Sequence, residues 1–383
     1  MWFFSEEEKL LQKSVKDFAE RVVAPRATEL DENEGFDPGH FKGLAELGLL
    51  GITASEADGG AGMGCLAASI AMEELGAVCA STALSYLAHS ILFVNNLATN
   101  GSNEQKKRYL PKAIDGSWIC GMGMSEPGAG TDALAMTTRA EKKGSKWILN
   151  GTKMWITNAV VGHAFYVYAR TGAGKNDIST FIVEKSFPGF SFGKKIHKLG
   201  MRASPTGELI FENCEVPEEN LVGTPGGSVT AMIKNLDIER ITISAISLGL
   251  ARASLEAATR YATERKQFGE PIGNFQMVQK MLADGQAEYE AARAYCYSAA
   301  KEWDLGQLDA GSSRSIGAKV KIICSEMATK VAMDAIQIMG GYGYTKEFPV
   351  ERYMRDAKLM EIGAGTTEIL RVVAAKAMLS AAK

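Results

Sequence analysis

The sequence predicts an α+β chain in three parts: an all-α N-terminal domain over residues 1–117, a β-barrel-like middle domain over 118–226 and a C-terminal four-helix bundle over 227–383. Three observations predict it. Apolar residues recur at three-to-four spacing through the first third. Near residue 118 the pattern changes to short β-branched or aromatic runs separated by Gly, Asn, Asp and Pro. After Gly226-Gly227-Ser228 the helical period returns, in long segments with short connections.

In the first third, Ser5 and Glu8 form a capping-box pattern ahead of Leu10, Leu11, Val15, Phe18, Ala19 and Val22, which predicts an amphipathic helix ended near Pro25. Asp37-Pro38 starts a second helix carrying Phe41, Leu44, Leu47 and Leu50, and further helical patterns cover 65–77, 82–98 and 103–114. The most apolar stretch, 83–97, is interrupted by Ser85, His89, Ser90, Asn95 and Asn96 and falls short of the roughly 20 residues that span a bilayer, so a buried core helix is expected and no membrane insertion. The glycine-rich run 59–64 lacks both a following Lys-Ser/Thr and a preceding strand, and reads as a connection. In the middle third, 147–149, Asn150-Gly151 and 154–157 read as strand, tight turn, strand, with further strands at 165–169, 180–183 and 209–211. The last third carries helical segments at 229–265, 275–305, 313–339 and 364–381.

Forty-two Lys+Arg against 45 Asp+Glu give a formal net charge of −3, without the basic excess of a nucleic-acid binder. The six cysteines, at 65, 79, 120, 214, 296 and 324, form no close pair, which points to a reducing compartment. Met1-Trp2-Phe3-Phe4 runs into Ser5-Glu6 without a basic region or cleavage site, so no signal peptide is expected. A bacterial cytoplasmic chain is the expectation, or a mitochondrial matrix chain whose leader has been removed. None of the four histidines is spaced with a carboxylate or cysteine as a metal site requires, so no metal is expected. A GxSxG elbow and a GxGxxG dinucleotide loop are both absent.

What remains is a group of Gly-rich, hydroxyl-rich and carboxylate segments. Residues 123–135, Gly-Met-Ser-Glu-Pro-Gly-Ala-Gly-Thr-Asp-Ala-Leu-Ala, resemble the first signature of the acyl-CoA dehydrogenases. Gln337-Ile338-Met339-Gly340-Gly341-Tyr342-Gly343-Tyr344, continuing through Glu347 and Arg352 to Asp356, is similar to the second. The resemblance covers essentially the whole chain and implies that family's fold, an FAD cofactor, an acyl-CoA substrate, electron-transferring flavoprotein as electron acceptor and a homotetramer. The nearest likeness within the family is to its isovaleryl-CoA branch, seen in Leu236-Asp237-Ile238-Glu239-Arg240 and in residues 361–368.

The residues support a flavin reading. Met124 and Ser125 stand on an irregular segment whose backbone N–H groups and hydroxyl suit the polar rim of an isoalloxazine ring. The resemblance adds Met122 and implies Trp155 against the ring and the Thr157 hydroxyl near flavin N5. An Arg in Glu264-Arg265-Lys266-Gln267-Phe268-Gly269 suits a pyrophosphate. By the same resemblance Arg265, Phe268 and Gln276, with Gln337, Gly340 and Gly341, reach an FAD held mainly by a neighbouring subunit. Thr366 and Glu368 are placed at its adenosine, and Thr131, Asp237 and Arg240 on the substrate side.

Dehydrogenating a saturated thioester needs a base at the α-carbon. In most family members this is a Glu directly before a C-terminal Gly-Thr, and here that position is Ala364. The isovaleryl-CoA type carries its base in a Leu-Asp-x-Glu-Arg context, which matches Glu239. Neighbouring helix positions are about 100° apart, so Glu239 can face a cleft while Arg240 points elsewhere. Burial is expected to raise the Glu239 pKa. Gly363-Ala364, where others carry a bulky aromatic and Glu, leaves room for a branch beside the reacting carbons. A short branched acyl-CoA is therefore expected, and the same space suits a cyclic or aryl-substituted acyl group. For a dicarboxylyl-CoA the Arg of the glutaryl-CoA dehydrogenases is missing, since 71–105 contains no Arg or Lys. Two other classes stand beside this: a silent flavin-binding family member acting as an assembly partner, favoured if Glu239 proves exposed, and a flavin oxidase, which would form peroxide in air.

Overall fold

A computed structural model describes residues 4–381; the Met1-Trp2-Phe3 start and the last two residues lie outside them. Helix α1 (Glu6–Phe18) begins as predicted, with Ser5 Oγ accepting from the Glu8 N–H and Glu8 accepting from the Ser5 N–H. It does not end at Pro25. A π-helical turn at Ala19–Val23 carries the chain into α2 (Ala24–Glu32), and Pro25, in the first turn of α2, meets a ladder already opened by the wide turn. Asp37 caps α3 (Pro38–Glu46) by accepting from the Gly39 N–H at 2.8 Å.

Helix α4 (Gly64–His89) breaks at Cys79, whose φ of −151° and ψ of 95° fall between the two periodic segments read from the sequence. A second π-helical turn, Ser90–Asn95, leads to α5 (Asn96–Asn100), followed by α6 (Asn103–Ile114). The apolar stretch 83–97 is core, as expected. The run Gly64–Asn100 and the later helix Val229–Glu264 are long and apolar enough to cross a membrane, yet 89% and 83% of their most apolar windows are buried inside the fold.

The middle third forms one sheet of β1 (Cys120–Gly123), β2 (Arg139–Lys143), β3 (Lys146–Thr157), β4 (Ala164–Arg170), β5 (Ile178–Glu184), β6 (Phe190–Phe192), β7 (Thr206–Pro217) and β8 (Leu221–Val222). The order is β6-β7-β3-β2-β4-β5-β8, with β1 parallel to β4 and Met122 opposite Tyr166. The hairpin expected at Asn150-Gly151 is absent. Both residues lie inside the single strand β3, at a register shift against β7, and the tight turn is at Gly144-Ser145 instead. Asn150 spends its side chain across the strands, accepting from the Asn213 N–H at 2.8 Å. Gly151 is required by closeness, since a Cβ there would meet Thr138 Oγ1 at 2.5 Å.

The C-terminal part contains α7 (Val229–Glu264), a two-residue hairpin of β9 (Lys266–Gln267) and β10 (Glu270–Pro271), α8 (Gln276–Asp304), α9 (Ala310–Met339), α10 (Val350–Met360) and α11 (Thr367–Ala381). Helix α10 was not anticipated, and α11 starts three residues after 364 because Ala364 at φ +55° and Gly365 at φ +99° are left-handed. α9 packs on α7, α8, α10 and α11. The largest core cluster joins α1 and α4 to α7, α8, α9 and α10, so the first and last thirds share one interior, while the sheet has a cluster of its own. At the α4–α7 crossing a Cβ on Gly249 would lie 2.4 Å from the Glu73 carbonyl oxygen. There the buried Glu73 carboxylate accepts from Tyr289, Arg293 and Tyr297, fixing α4 against α8.

Candidate active site

Glu239 lies one third of the way along α7, 6% exposed, and its Oε2 has no hydrogen-bond partner. Burial pushes its carboxyl up to about 7, against the lowering pull of Arg240 and Lys321. Arg240 turns away from it, as helix geometry demands: Nη1 donates to Asp237 Oδ1 at 3.2 Å and Nε to the Ala364 carbonyl oxygen at 3.3 Å. Asp237, also accepting from Ser313 at 3.4 Å, is pushed by burial up to about 6 in spite of Arg240 and Arg314. Thus the helix bearing the predicted base is tied to the turn, Gly363 to Gly365, where the usual base is missing.

A second cation holds the same turn. Lys321, on α9 and 1% exposed, donates to the carbonyl oxygens of Met360 at 2.7 Å and Gly365 at 2.9 Å. Burial lowers its pKa to about 8, opposed by the Glu239 charge. Tyr168 on β4 borders Glu239 from the sheet side, its hydroxyl pushed well up by burial, by Tyr166 and by the Glu239 charge. One turn before Glu239, Asn235 donates to Met122 Sδ at 3.8 Å, which brings β1 against α7.

The same strand leads to the second group. Beyond β1, the Ser125 carbonyl accepts from the Met154 N–H at 2.8 Å, and the Met124 carbonyl accepts from Lys153 Nζ at 3.0 Å. Lys153 is wholly buried and pairs at 2.8 Å with Glu126, which also accepts from the backbone of Thr137 and Thr138. Burial lowers the Lys153 pKa; it opposes ionisation of Glu126 too, but Lys153 and the Thr donors hold that carboxyl well below its usual range. Next to this anchored loop, Trp155 sits at a bulge with φ +65° and is 57% exposed, and Thr157 pairs with Thr206 at the end of β3. Thr131 is exposed on the loop past Glu126.

The third group is elsewhere. Arg265 follows the end of α7, roughly 37 Å of helix from Glu239 at 1.5 Å per residue. It stands over the Tyr342 ring at 5.6 Å, beside Gly340 and Gly341, in the wall of a cavity of about 500 Å³ that Arg260 and Phe348 also line. This cavity does not include Glu239. Phe268, at φ +54°, is 95% exposed and meets Phe275 edge-on, next to Gln276; Gln337 is exposed at the end of α9. Thr366 and Glu368 open α11, where the Ile369 N–H donates to Thr366 Oγ1 at 3.4 Å.

A flavin fits these residues. An exposed indole beside an anchored loop offers a ring-stacking face, Glu239 presents a buried unpaired oxygen, and Arg265 with Arg260 supplies charge for a pyrophosphate. The sequence reading missed Lys321, the Lys153–Glu126 pair and Asn235. A signal existed for the first: Lys321 interrupts the buried helical face made by Ala318, Cys324, Ser325 and Ala328.

Comparison with known proteins agrees along the chain. Models of the acyl-CoA dehydrogenase N-terminal, middle and C-terminal domains match residues 5–117, 121–214 and 227–379. The mitochondrial isovaleryl-CoA dehydrogenase of Oryza sativa subsp. japonica is 44% identical over 97% of this chain and 90% of its own. The butyryl-CoA dehydrogenase structure from Megasphaera elsdenii superposes with a TM-score of 0.95 at 36% identity, covering 98% of this chain and 99% of that one. A glutaryl-CoA dehydrogenase from Mycobacterium smegmatis in complex with FADH2 gives 0.92 at 28% identity, over 98% and 95%. With all three domain models matched and isovaleryl-CoA dehydrogenase similar over almost the full length, the chain belongs to the acyl-CoA dehydrogenase family, flavin-dependent oxidoreductases of acyl-CoA thioesters.

Proposed function

We propose that this enzyme converts a short branched acyl-CoA thioester, isovaleryl-CoA first among them, to the 2-enoyl thioester, with Glu239 removing the α-proton. The observation that carries the reading is that Glu239 combines burial, an unpaired Oε2 and a pKa near 7 while position 364 bears only a methyl group. A carboxylate so placed takes a proton near neutral pH. An exposed Glu239 would have favoured a silent family member, and it is buried.

Bound FAD supplies the acceptor for the β-hydrogen, which leaves as hydride while the Cα–Cβ double bond forms. Met122, Met124 and Ser125 would hold the polar edge of a bound flavin, Trp155 would cover its face and the Thr157 hydroxyl would serve its reacting side. Asp237, Arg240 and Thr131 serve the thioester side, and the Gly363-Ala364 turn gives the acyl branch its space; a Cβ on Gly363 would meet nothing closer than 3.6 Å. The separation of Arg265, Phe268, Gln276, Gln337, Gly340 and Gly341 from Glu239 supports an FAD shared between subunits of a homotetramer, with Thr366 and Glu368 at its adenosine. Electron-transferring flavoprotein is the proposed oxidant of the reduced enzyme. Six buried free thiols accord with a reducing compartment, the cytoplasm of a bacterium or a mitochondrial matrix.

The test is an anaerobic titration of the flavin-loaded protein with butyryl-, isovaleryl-, glutaryl-, cyclohexanoyl- and aryl-substituted acyl-CoA. Fast loss of oxidised-flavin absorbance with isovaleryl-CoA supports the reading. Bleaching by the cyclic or aryl thioester alone replaces the substrate, and no bleaching at all contradicts the reaction.

A further inference from the structure

Asn235 is 4% exposed, its amide N–H reaches only the weak acceptor Met122 Sδ at 3.8 Å, and its Oδ1 has no partner. A buried amide oxygen left unpaired is costly in a finished fold, and calls for a donor that arrives with a ligand. Four residues on, Glu239 Oε2 is likewise buried and unpaired; the third such oxygen among the described residues of this helix, Ser247 Oγ, lies about two turns farther on. Positions i and i+4 share one helix face, so the two side chains stand on the same side of α7, their residues about 6 Å apart along the axis.

That spacing matches the substrate. With the thioester α-carbon at Glu239, the first donor group of a coenzyme A arm is the pantetheine amide N–H nearest the sulfur. It lies five bonds from the α-carbon, and an extended chain of that length spans about 6 Å by ordinary covalent geometry. The acyl chain on the other side of the α-carbon carries no donor in a saturated hydrocarbon substrate. We infer that Asn235 is a substrate-recognition residue whose Oδ1 accepts this pantetheine N–H, setting the register that brings the α-carbon to Glu239. Met122 orients the amide by taking its N–H, so that the oxygen faces the substrate.

The inference rests on the dehydrogenase reading above, and its test separates the two. Flavin-loaded wild type, Asn235→Ala and the volume-keeping Asn235→Leu are reduced anaerobically by two truncated thioesters of one acyl group. One is the N-acetylcysteamine thioester, which keeps the amide N–H; the other replaces that N–H by an ester oxygen. The wild type is expected to favour the amide by about tenfold, the worth of one hydrogen bond of about 1.4 kcal/mol. Both variants should bring that preference to within about twofold, mainly by slowing the amide, with flavin content unchanged. A preference kept in full by both variants overturns the role of Asn235, and so does a wild type indifferent to the replacement. A change confined to flavin affinity or flavin spectrum overturns it as well, assigning Asn235 to the cofactor. Failure of acyl-CoA itself to reduce the wild type would instead refute the dehydrogenase reading.

Discussion

Arg240 donates from Nε to the carbonyl oxygen of Ala364 at 3.3 Å, joining the residue that follows the proposed base to the residue that stands where most of the family keeps theirs. The two positions are 124 apart in sequence and adjacent in space. This adjacency supports the reading proposed above, in which a carboxylate on α7 stands in for the one absent from the α10–α11 turn.

The Glu239 pKa near 7 predicts the pH dependence of the half-reaction. Flavin reduction should rise with pH through a midpoint close to 7, because only the ionised carboxylate accepts the proton. Stability should run the opposite way. The folded carboxyl is raised above its unfolded value of 4.5, so its contribution is full below pH 4.5 and is lost as pH rises through about 7. The loss is at most on the order of 3 kcal/mol. Glu239→Gln should remove this slope, measured by urea unfolding at pH 5 and pH 8, whereas an unchanged slope would assign it to Asp237 or Asp356, both raised to about 6 by burial.

Lys321 should tune the base as well as hold the turn. Its charge lowers the Glu239 pKa, so Lys321→Met should move the midpoint of flavin reduction upward, and Lys321→Arg should bring it part of the way back. Loss of its donors to Met360 and Gly365 should cost about 1–3 kcal/mol of stability. A variant that loses stability with no movement of the pH midpoint would reduce Lys321 to a structural clamp.

The Lys153–Glu126 pair should anchor the loop beside Trp155. Lys153→Met leaves a buried carboxylate without its cation and should destabilise by about 3–5 kcal/mol and weaken flavin retention. The double change with Glu126→Gln should recover much of the stability. Thermal unfolding of singles and double gives the coupling, and simple additivity would show that the pair does not act as one.

Much of this was legible in the sequence because periodicity is a local signal. The Ser5–Glu8 cap, the split of α4 near 79 and the long α7 all follow from spacing within a few residues. The failures are places where a distant partner decides. Asn150-Gly151 carries a strong turn signal, yet Asn213, remote in sequence, and Thr138, just before the neighbouring strand β2, make it part of a continuous strand. Pro25 reads as a stop until the π-helical turn before it is seen. For the site, the paired change at 239 and 364 was readable along the chain, but the contacts through Arg240 and Lys321 that make it one place were not. Nor could a sequence show that the oxygens of Asn235 and Glu239 are both buried and unpaired.

The central claim is that Glu239 is the base, and rapid mixing under anaerobic conditions tests it most directly. Flavin-loaded wild type and Glu239→Gln would be mixed with saturating isovaleryl-CoA and followed by flavin absorbance. The expected result is a variant that keeps its flavin and binds the thioester but is reduced at least about a thousandfold more slowly, within the range for removal of a general base. Reduction at more than about a tenth of the wild-type rate would show that another group takes the α-proton.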